Sequence, residues 1–334
     1  MTNIVLSIIV RFVLVAFVCL AEVQTEKETY EALKEIQQNI NNNVPAFCYT
    51  GHSGTRQAFL SQAYKEYTGN YNVLVYPFCL TTHELGNRLG NYFAEVACAE
   101  ASGLHFITVH PQWDLTGSYH GNGAANITDH RKLAFLKALP DVIVHKNPAD
   151  PSQAQDRIKK ECHCTRYCWQ HVNAPWVNRT AILGGYLQTA FAAYQHSMLP
   201  SERVTTVDPE VDFSNAKPDE VLPVVPNVAL QYRCGDNIGF SYMYGILPFT
   251  AFVGRIPTDA KYIYVLSDHP SRAVHSPYTS RCHLILKSLF EFLQTKHPSA
   301  TVVVKRGGDL FLDYVRLGTA NTTICSASSY CFWP

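Results

Sequence analysis

Strand-like and helix-like segments alternate in the second half of the chain, and this alternation constrains the fold more than any other sequence feature. Helical stretches occupy Arg281–Lys296 and Asp309–Leu317, and β-branched or aromatic runs of strand length flank them. Strands that alternate with helices imply a parallel sheet with right-handed crossovers. The four predicted strands are Val228–Arg233, Tyr262–Ser267, Thr301–Lys305 and Asn321–Ser326.

The first half shows the same alternation, with strand-like runs at Asn72–Leu80 and Leu104–Val109. Five prolines between Met198 and Pro226 mark a linker between the halves. We therefore predict an α/β fold of two Rossmann-like, doubly wound domains that face a cleft. The predicted segments are a signal peptide or signal anchor (1–24), a stem (25–45), an N-terminal domain (46–199), the linker (200–226) and a C-terminal domain (227–334).

The N-terminal segment predicts entry into the secretory pathway. Ile4–Ala21 is almost wholly apolar, which suits a cleaved signal peptide or a retained anchor, with a buried core helix as a third interpretation. Three glycosylation acceptors begin at Asn126, Asn178 and Asn321. Beyond Cys19 the chain has ten cysteines, an even number that favours disulfides in an oxidising lumen.

One cysteine cluster allows two interpretations. Cys162, His163, Cys164 and Cys168 are potential zinc ligands, but their spacing is not that of the usual pair of C-x2-C motifs. In an oxidising compartment disulfides are the preferred interpretation, and zinc is the alternative.

The balance of charges excludes several classes of protein. Lys plus Arg and Asp plus Glu each total 27 residues, so the formal net charge is zero. Without a global positive field, nucleic acid is not expected as the main partner, although a local anion pocket is compatible with this balance. The content of 47% hydrophobic and 16% charged residues excludes an intrinsically disordered chain.

Polar, anion-compatible residues follow each of the four strands predicted in the second half. Arg233 stands at a strand end, where its guanidinium could fork two donors onto a phosphate, and Gly235 would allow close approach of the backbone. Each motif alone has an ordinary interpretation, such as a surface ion pair or a helix N-cap. Four such ends in succession favour an anion site. The segments are Arg233–Asp236, Ser267–Asp268, Lys305–Asp309 and Ser326–Tyr330.

The first half contributes two candidate binding segments. A glycine loop at Gly86–Gly90 follows a strand and offers donors to an anion or a sugar, although it lacks the dinucleotide G-x-G-x-x-G order. The segment His110–Asp114 contains Trp113 beside Asp114, a composition suited to stacking a sugar ring and binding its hydroxyls. An ordinary loop with a packed Trp is the alternative.

The order of these motifs resembles that of the fucosyltransferases with two Rossmann-like domains, the superfamily of α-1,2-, α-1,6- and protein O-fucosyltransferases. Residues 87–91 are similar to their G-R-L-G-N motif, and residues 231–236 resemble their H-x-R-R-x-D or H-x-R-x-G-D signature. Residues 267–268 are similar to the S-D pair after their next strand, and residues 326–333 loosely resemble their hydroxyl-rich C-terminal stretch. The resemblance covers residues 85–334.

The resemblance implies a GT-B type glycosyltransferase that moves fucose from GDP-fucose to a glycan or glycoprotein hydroxyl with inversion. The N-terminal domain would bind the acceptor and the C-terminal domain the nucleotide sugar, in the Golgi lumen as a type II membrane protein or in a secreted form. The implied catalytic residues are Arg233, Asp236 and Asp114; the donor would be bound by Arg233, Gly235, Ser267, Asp268, Ser326, Ser328 and Ser329, and the acceptor by Asn87, Arg88, Asn91 and Trp113.

Two positions depart from the family's pattern. Gln231 stands in place of the usual His, and Cys234 in place of the second Arg or small residue, which leaves the transferred sugar open. The catalytic base is also open, with His110 and His120 as alternatives to the two aspartates. No D-x-D triplet occurs in a usable loop, so we expect neither a metal nor a separate cofactor, with arginine replacing the cation.

Two rival functions remain. Residues 49–56 look like the phosphosulfate-binding loop of sulfotransferases. The segment from Asp268 to Tyr278 weakly resembles the second binding site of those enzymes. A sulfotransferase would not need the segment Arg233–Asp236. This segment therefore distinguishes the sulfotransferase hypothesis from the fucosyltransferase hypothesis. The other rival is a non-catalytic lumenal or lectin-like binding protein on the same fold, favoured by the altered Gln231 and Cys234.

Overall fold

The computed structural model places the chain in two compact units. The first comprises residues 1–80, 91–124 and 140–183, and the second comprises residues 81–90, 125–139 and 184–334. The structure describes residues 2–43, 72–77, 85–110, 129–153, 156, 180–202, 204–206, 212–217, 220–234, 246–267, 279–307, 310–326 and 331.

Helices and strands together confirm the α/β class. The helices are α1 (Thr2–Asn43), α2 (Leu85–Ser102), α3 (His130–Lys137), α4 (Thr180–Ser197), α5 (Thr250–Val253), α6 (Thr279–Lys296) and α7 (Leu310–Thr319). The strands are β1 (Val73–Pro77), β2 (His105–Val109), β3 (Val142–Ile143), β4 (Val204–Thr206), β5 (Phe213–Ser214), β6 (Val221–Pro223), β7 (Val228–Gln231), β8 (Tyr262–Ser267), β9 (Thr301–Arg306) and β10 (Thr322–Cys325).

The first unit contains a three-stranded sheet of order β1-β2-β3. β1 and β2 are parallel, whereas β3 runs antiparallel to β2, so this sheet is mixed rather than parallel throughout. Every residue of β2 is buried, which fits a central strand covered on both faces.

The C-terminal part of α1 packs on this sheet. Leu33, Ile36 and Ile40 recur at helical spacing and are buried with residues of β1 and β2. The Gln37 amide lies on the same helix and donates to the carbonyl of Thr108 at 2.6 Å. Residues 25–45, which the sequence predicts as a stem, therefore contribute side chains to the core of the first unit. Of the helices in the described part of the chain, none has the length and apolar character needed to cross a membrane.

The second unit is built on a five-stranded sheet of order β10-β7-β8-β9-β5. The first four strands in this order are mutually parallel, and β5 is antiparallel to β9. Residues of α6 belong to the core on one face of this sheet, whereas Leu317 of α7 belongs to the core on the other face. The sheet is therefore covered by helices on both faces, as the alternation of segments predicts.

Strand β5 lies within residues 200–226, the segment predicted as a linker. It pairs with Val303 and Val304 of β9. The side-chain amide of the next residue, Asn215, continues this pairing in place of backbone groups. Its Oδ1 accepts from Val302 N–H at 2.6 Å, and its Nδ2 donates to the Ala300 carbonyl at 3.0 Å. Strands β4 and β6 form a separate antiparallel pair. The domain boundaries themselves stay a prediction.

An aromatic cluster joins three helices of the second unit. Phe135 of α3 lies 5.5 Å from Phe191 of α4 and 6.0 Å from Phe311 of α7, between ring centroids. Phe191 also lies 5.7 Å from Tyr314 of α7. Aromatic pairs at these distances add to the free energy gained by burial alone.

Candidate functional site

The carboxyl ends of the parallel strands in the second unit form the candidate site. The chain runs from β7 to β8 to β9, and then returns to place β10 on the other side of β7. The strand order therefore reverses between β7 and β10. Open α/β sheets bind ligands outside the carboxyl ends of their strands, at such a reversal.

A hydrogen-bond network holds the ends of β7 and β10 together. The Ser326 hydroxyl donates to the Gln231 side-chain oxygen at 2.7 Å and accepts from the Arg233 backbone N–H at 2.8 Å. Ser326 N–H also donates to the Gln231 carbonyl at 3.0 Å. Since both the proton and an acceptor site of this hydroxyl are used, Ser326 fixes the backbone from which the Arg233 side chain departs.

Ser267 connects the end of β8 to the end of β7 in the same way. Its hydroxyl donates to the Tyr232 carbonyl at 2.8 Å. Its own carbonyl accepts from Gly307 N–H at 3.1 Å, which continues the network to the end of β9. Gly307 has a φ of 72°, a left-handed conformation that favours glycine, so the chain turns sharply there. Four adjacent strand ends are thus joined by polar contacts.

The residues between these hydroxyls are structural. Cys234 forms a disulfide with Cys282 of α6, and both are buried. The Tyr232 hydroxyl donates to the Leu247 carbonyl at 3.0 Å, and burial raises the pKa of Tyr232 to about 12. Together with Cys325–Cys331, the first bond confirms the prediction of disulfides. Both residues that depart from the family's pattern therefore make structural contacts: the side chain of Gln231 accepts a hydrogen bond from Ser326, and Cys234 forms a disulfide.

Arg306, the last residue of β9, belongs to the same edge but was not among the predicted site residues. It is only 9% exposed, and within the described part of the chain its Nε and Nη2 have no hydrogen-bond partner. The sequence marks the segment Lys305–Asp309 as anion-compatible. Nothing in the sequence alone distinguishes a buried arginine from an exposed one at a strand end.

The structure brings three predicted residues to this edge: Arg233, Ser267 and Ser326. Asn87, Arg88 and Asn91 lie within α2, of which only the backbone is described at these positions. The stretch predicted as a glycine loop is therefore the start of a helix, because Leu89, Tyr92 and other apolar residues recur at helical spacing and are buried.

The other predicted residues lie outside the part of the chain that the structure describes. They are Asp114, Trp113, Asp236, Gly235, Asp268, Ser328 and Ser329, together with the alternative base His120, the cysteine cluster at 162–168 and the sulfotransferase-like loop at 51–56.

Among the described residues, no group of three or more His, Cys, Asp or Glu side chains lies close enough together to hold a metal ion. The comparisons with protein-family models, curated proteins and solved structures found no match to this chain.

Proposed function

We propose that this chain is a glycosyltransferase that binds a nucleotide sugar at the carboxyl edge of the second sheet. GDP-fucose is the donor that the sequence resemblance favours. One observation carries the proposal: Arg233, Ser267 and Ser326 end three adjacent parallel strands and are tied into one network where the strand order reverses. That place is where open α/β sheets bind nucleotides.

In the proposed reaction an acceptor hydroxyl attacks the anomeric carbon of the donor from the face opposite the diphosphate. The new bond to the acceptor oxygen forms as the bond to the diphosphate oxygen breaks, with inversion. The acceptor proton passes to a carboxylate or an imidazole, for which Asp114, Asp236, His110 and His120 are the candidates. Arg233 stabilises the negative charge that develops on the departing diphosphate, which is the largest effect required of the protein.

The network at the strand ends suits this role of Arg233. A guanidinium stabilises developing charge best when it is already in position, because no reorganisation is then needed during the reaction. Ser326 and Gln231 provide this preorganisation through the backbone of Arg233. Gln231 and Ser326 are therefore proposed as positioning residues, and Arg233 as the group that contacts the donor.

The finer architecture belongs to the same proposal. We propose a GT-B arrangement in which the first half binds the acceptor glycan through Asn87, Arg88, Asn91 and Trp113. We also propose a lumenal or secreted location. The disulfides Cys234–Cys282 and Cys325–Cys331 support an oxidising compartment, and Asn321, one of the glycosylation acceptors, is exposed.

The test is ligand-dependent thermal melting of the full chain with GDP, GDP-fucose and 3′-phosphoadenosine 5′-phosphosulfate. A ligand at 100 times its dissociation constant should stabilise the fold by about 2.7 kcal/mol. Arg233→Ala should weaken GDP binding by about tenfold or more, since a charge-assisted contact is lost. The matched control is Arg255→Ala, which removes an exposed arginine outside the site.

The outcomes separate the candidate functions. A GDP response that depends on Arg233, with GDP released from GDP-fucose only when a glycan acceptor is present, supports the proposal. A response to the phosphosulfate alone would support the sulfotransferase instead. Binding without release of GDP would indicate a non-catalytic binding protein, and no response to any guanine nucleotide would overturn the proposal.

A further inference from the structure

Arg306 is a buried cation with unused hydrogen-bond donors. It is 9% exposed, and its Nε and Nη2 are out of contact with solvent and have no hydrogen-bond partner among the residues that the structure describes. Its backbone N–H donates to Asp212 Oδ2 at 2.8 Å, but no ion pair joins the guanidinium to a carboxylate of the described residues. Buried charges in proteins are ordinarily paired, so an exception requires an explanation.

Arg316 in the same unit is a buried arginine whose guanidinium has hydrogen-bond partners. It is 6% exposed, its Nη1 donates to Asp313 Oδ1 at 3.0 Å and its Nε donates to the Val224 carbonyl at 3.2 Å. Its guanidinium also lies 4.8 Å from the centroid of the Tyr264 ring. Described residues therefore supply an anion, a carbonyl and an aromatic face to the guanidinium of Arg316, but no hydrogen-bond partner to Nε or Nη2 of Arg306.

The position of Arg306 in the sheet indicates what kind of group could accept hydrogen bonds from its guanidinium. Val302 and Val304 are in the core formed with α6, so alternation along β9 assigns Arg306 to the same face of the sheet. Asp212 connects Arg306 to α6, because its Oδ1 lies 4.0 Å from Nδ1 of His283 in the second turn of that helix. Asp212 thus lies between the backbone of Arg306 and the second turn of this 18-residue helix, and the buried guanidinium belongs to the carboxyl edge of the sheet.

We infer that Arg306 binds a phosphate group of a ligand at this edge. A planar guanidinium presents parallel donors that match phosphate oxygens. The carboxylate of Asp212 would repel a bound anion. However, it already accepts a hydrogen bond from the Arg306 backbone N–H and faces His283. The inference goes beyond the proposed function, because Arg306 is not among its residues and the site requires no transfer reaction.

Thermal melting of the full chain tests the inference, with inorganic phosphate, pyrophosphate, GDP and guanosine as probes. In the wild-type chain the phosphate-bearing probes should raise the melting temperature, and guanosine should not. Arg306→Met should weaken pyrophosphate binding by about tenfold or more. Arg306→Lys should retain part of the affinity, because lysine keeps the charge but not the planar fork. Tighter binding of GDP than of pyrophosphate would identify a nucleotide as the source of the phosphate, and equal binding a free phosphate or diphosphate.

The ligand-free melting temperatures separate a binding role from a structural one. Arg306→Met should melt at the same temperature as the wild type or higher, because an uncompensated buried charge is removed. The control Arg316→Met should melt lower, since Asp313 loses its partner, and should keep the pyrophosphate response.

Three results would overturn the inference: no response of the wild type to any phosphate, an equal response in Arg306→Met, or loss of ligand-free stability in Arg306→Met with the response retained. An equal response in Arg306→Met together with a lost GDP response in Arg233→Ala refutes this inference alone. A pyrophosphate response that needs Arg306 but not Arg233, without consumption of GDP-fucose, refutes the proposed function alone.

Discussion

At Gly318 two arguments about a glycine in a helix point in opposite directions. Helix propensity favours alanine over glycine by about 1 kcal/mol at an interior position and by less in the last turn, where Gly318 lies. However, a Cβ at Gly318 would lie 2.1 Å from Cζ of Phe191, whose ring is held between Phe135 and Tyr314. Close packing of α4 against α7 therefore requires the absence of a side chain here.

We expect Gly318→Ala to destabilise the protein by about 1–3 kcal/mol, the usual cost of overpacking a core. The matched control is Gly185→Ala in α4, where a Cβ would meet nothing within 4 Å. That substitution should stabilise the helix by up to about 1 kcal/mol. Urea denaturation of both variants measures the difference. If both were stabilised, the ring of Phe191 would have to be free to move.

Single residues also show where reasoning from sequence stops. The sequence identifies Gln231 and Cys234 as departures from a family pattern, but it does not reveal their partners, Ser326 and Cys282. Those partners are 95 and 48 residues away, and only the folded sheet brings them close. Burial of Arg306 has the same origin. Residue types at strand ends can be predicted from sequence, whereas their contacts depend on tertiary packing.

At the scale of elements, α3 begins with a charged cap. Asp129 precedes the helix and its Oδ1 accepts from Arg131 N–H at 2.9 Å, while Oδ2 lies 2.7 Å from the Arg131 guanidinium. The hydrogen bond from the Arg131 side chain is the main reason why the pKa of Asp129 falls to about 2, despite the opposing effect of burial. The cap thus depends on an ionised carboxylate.

Because the folded-state pKa of Asp129 is below its ordinary value of 3.8, its contribution is complete above about pH 4 and is lost as the pH falls towards 2. Asp129→Asn should therefore reduce stability at neutral pH, and the difference from the wild type should shrink as the pH falls from about 4 through about 2. Denaturation at a series of pH values measures it, with Asp259→Asn as an exposed control. A pH-independent difference would contradict the assignment.

The elements also differ in how well the sequence predicts them. β8 and β9 are continuous β-branched or aromatic runs, and their predicted bounds differ from the observed ones by at most one residue. The start of α2 was predicted as a loop because Gly86 and Gly90 usually break helices, but burial of its apolar residues prevails over this preference. β5 has only two residues, too few for a period to be recognised.

At the scale of the whole molecule, the two disulfides that join described residues should contribute unequally to stability. Cys234 and Cys282 are 48 residues apart, and Cys325 and Cys331 are six apart. Loop-closure entropy in the unfolded chain then predicts losses of about 4 and about 2 kcal/mol when each pair is replaced by alanines. Denaturant unfolding of the two double variants measures these losses. A larger loss from the shorter loop would show that the entropy of the unfolded chain does not decide the order.

The alternation of segments predicts the general α/β class of the molecule and the parallel core of the second sheet. It does not predict that α3 belongs to the second unit although it lies between β2 and β3 of the first. That exchange depends on where Phe135 of α3 finds aromatic partners, which are supplied by residues more than 50 positions later. Contacts at such separations leave no periodic signal in a sequence.

The outer edge of the second sheet is completed by two residues of β5 and by the amide of Asn215. A sheet that ends in a long exposed strand offers a template onto which strands of other chains can add. Here β5 is too short to serve as such a template, and Asn215 occupies the donor of Val302 and the acceptor of Ala300 that a foreign strand would need. One amide side chain at this position therefore blocks the addition of a foreign strand at this edge of the second sheet.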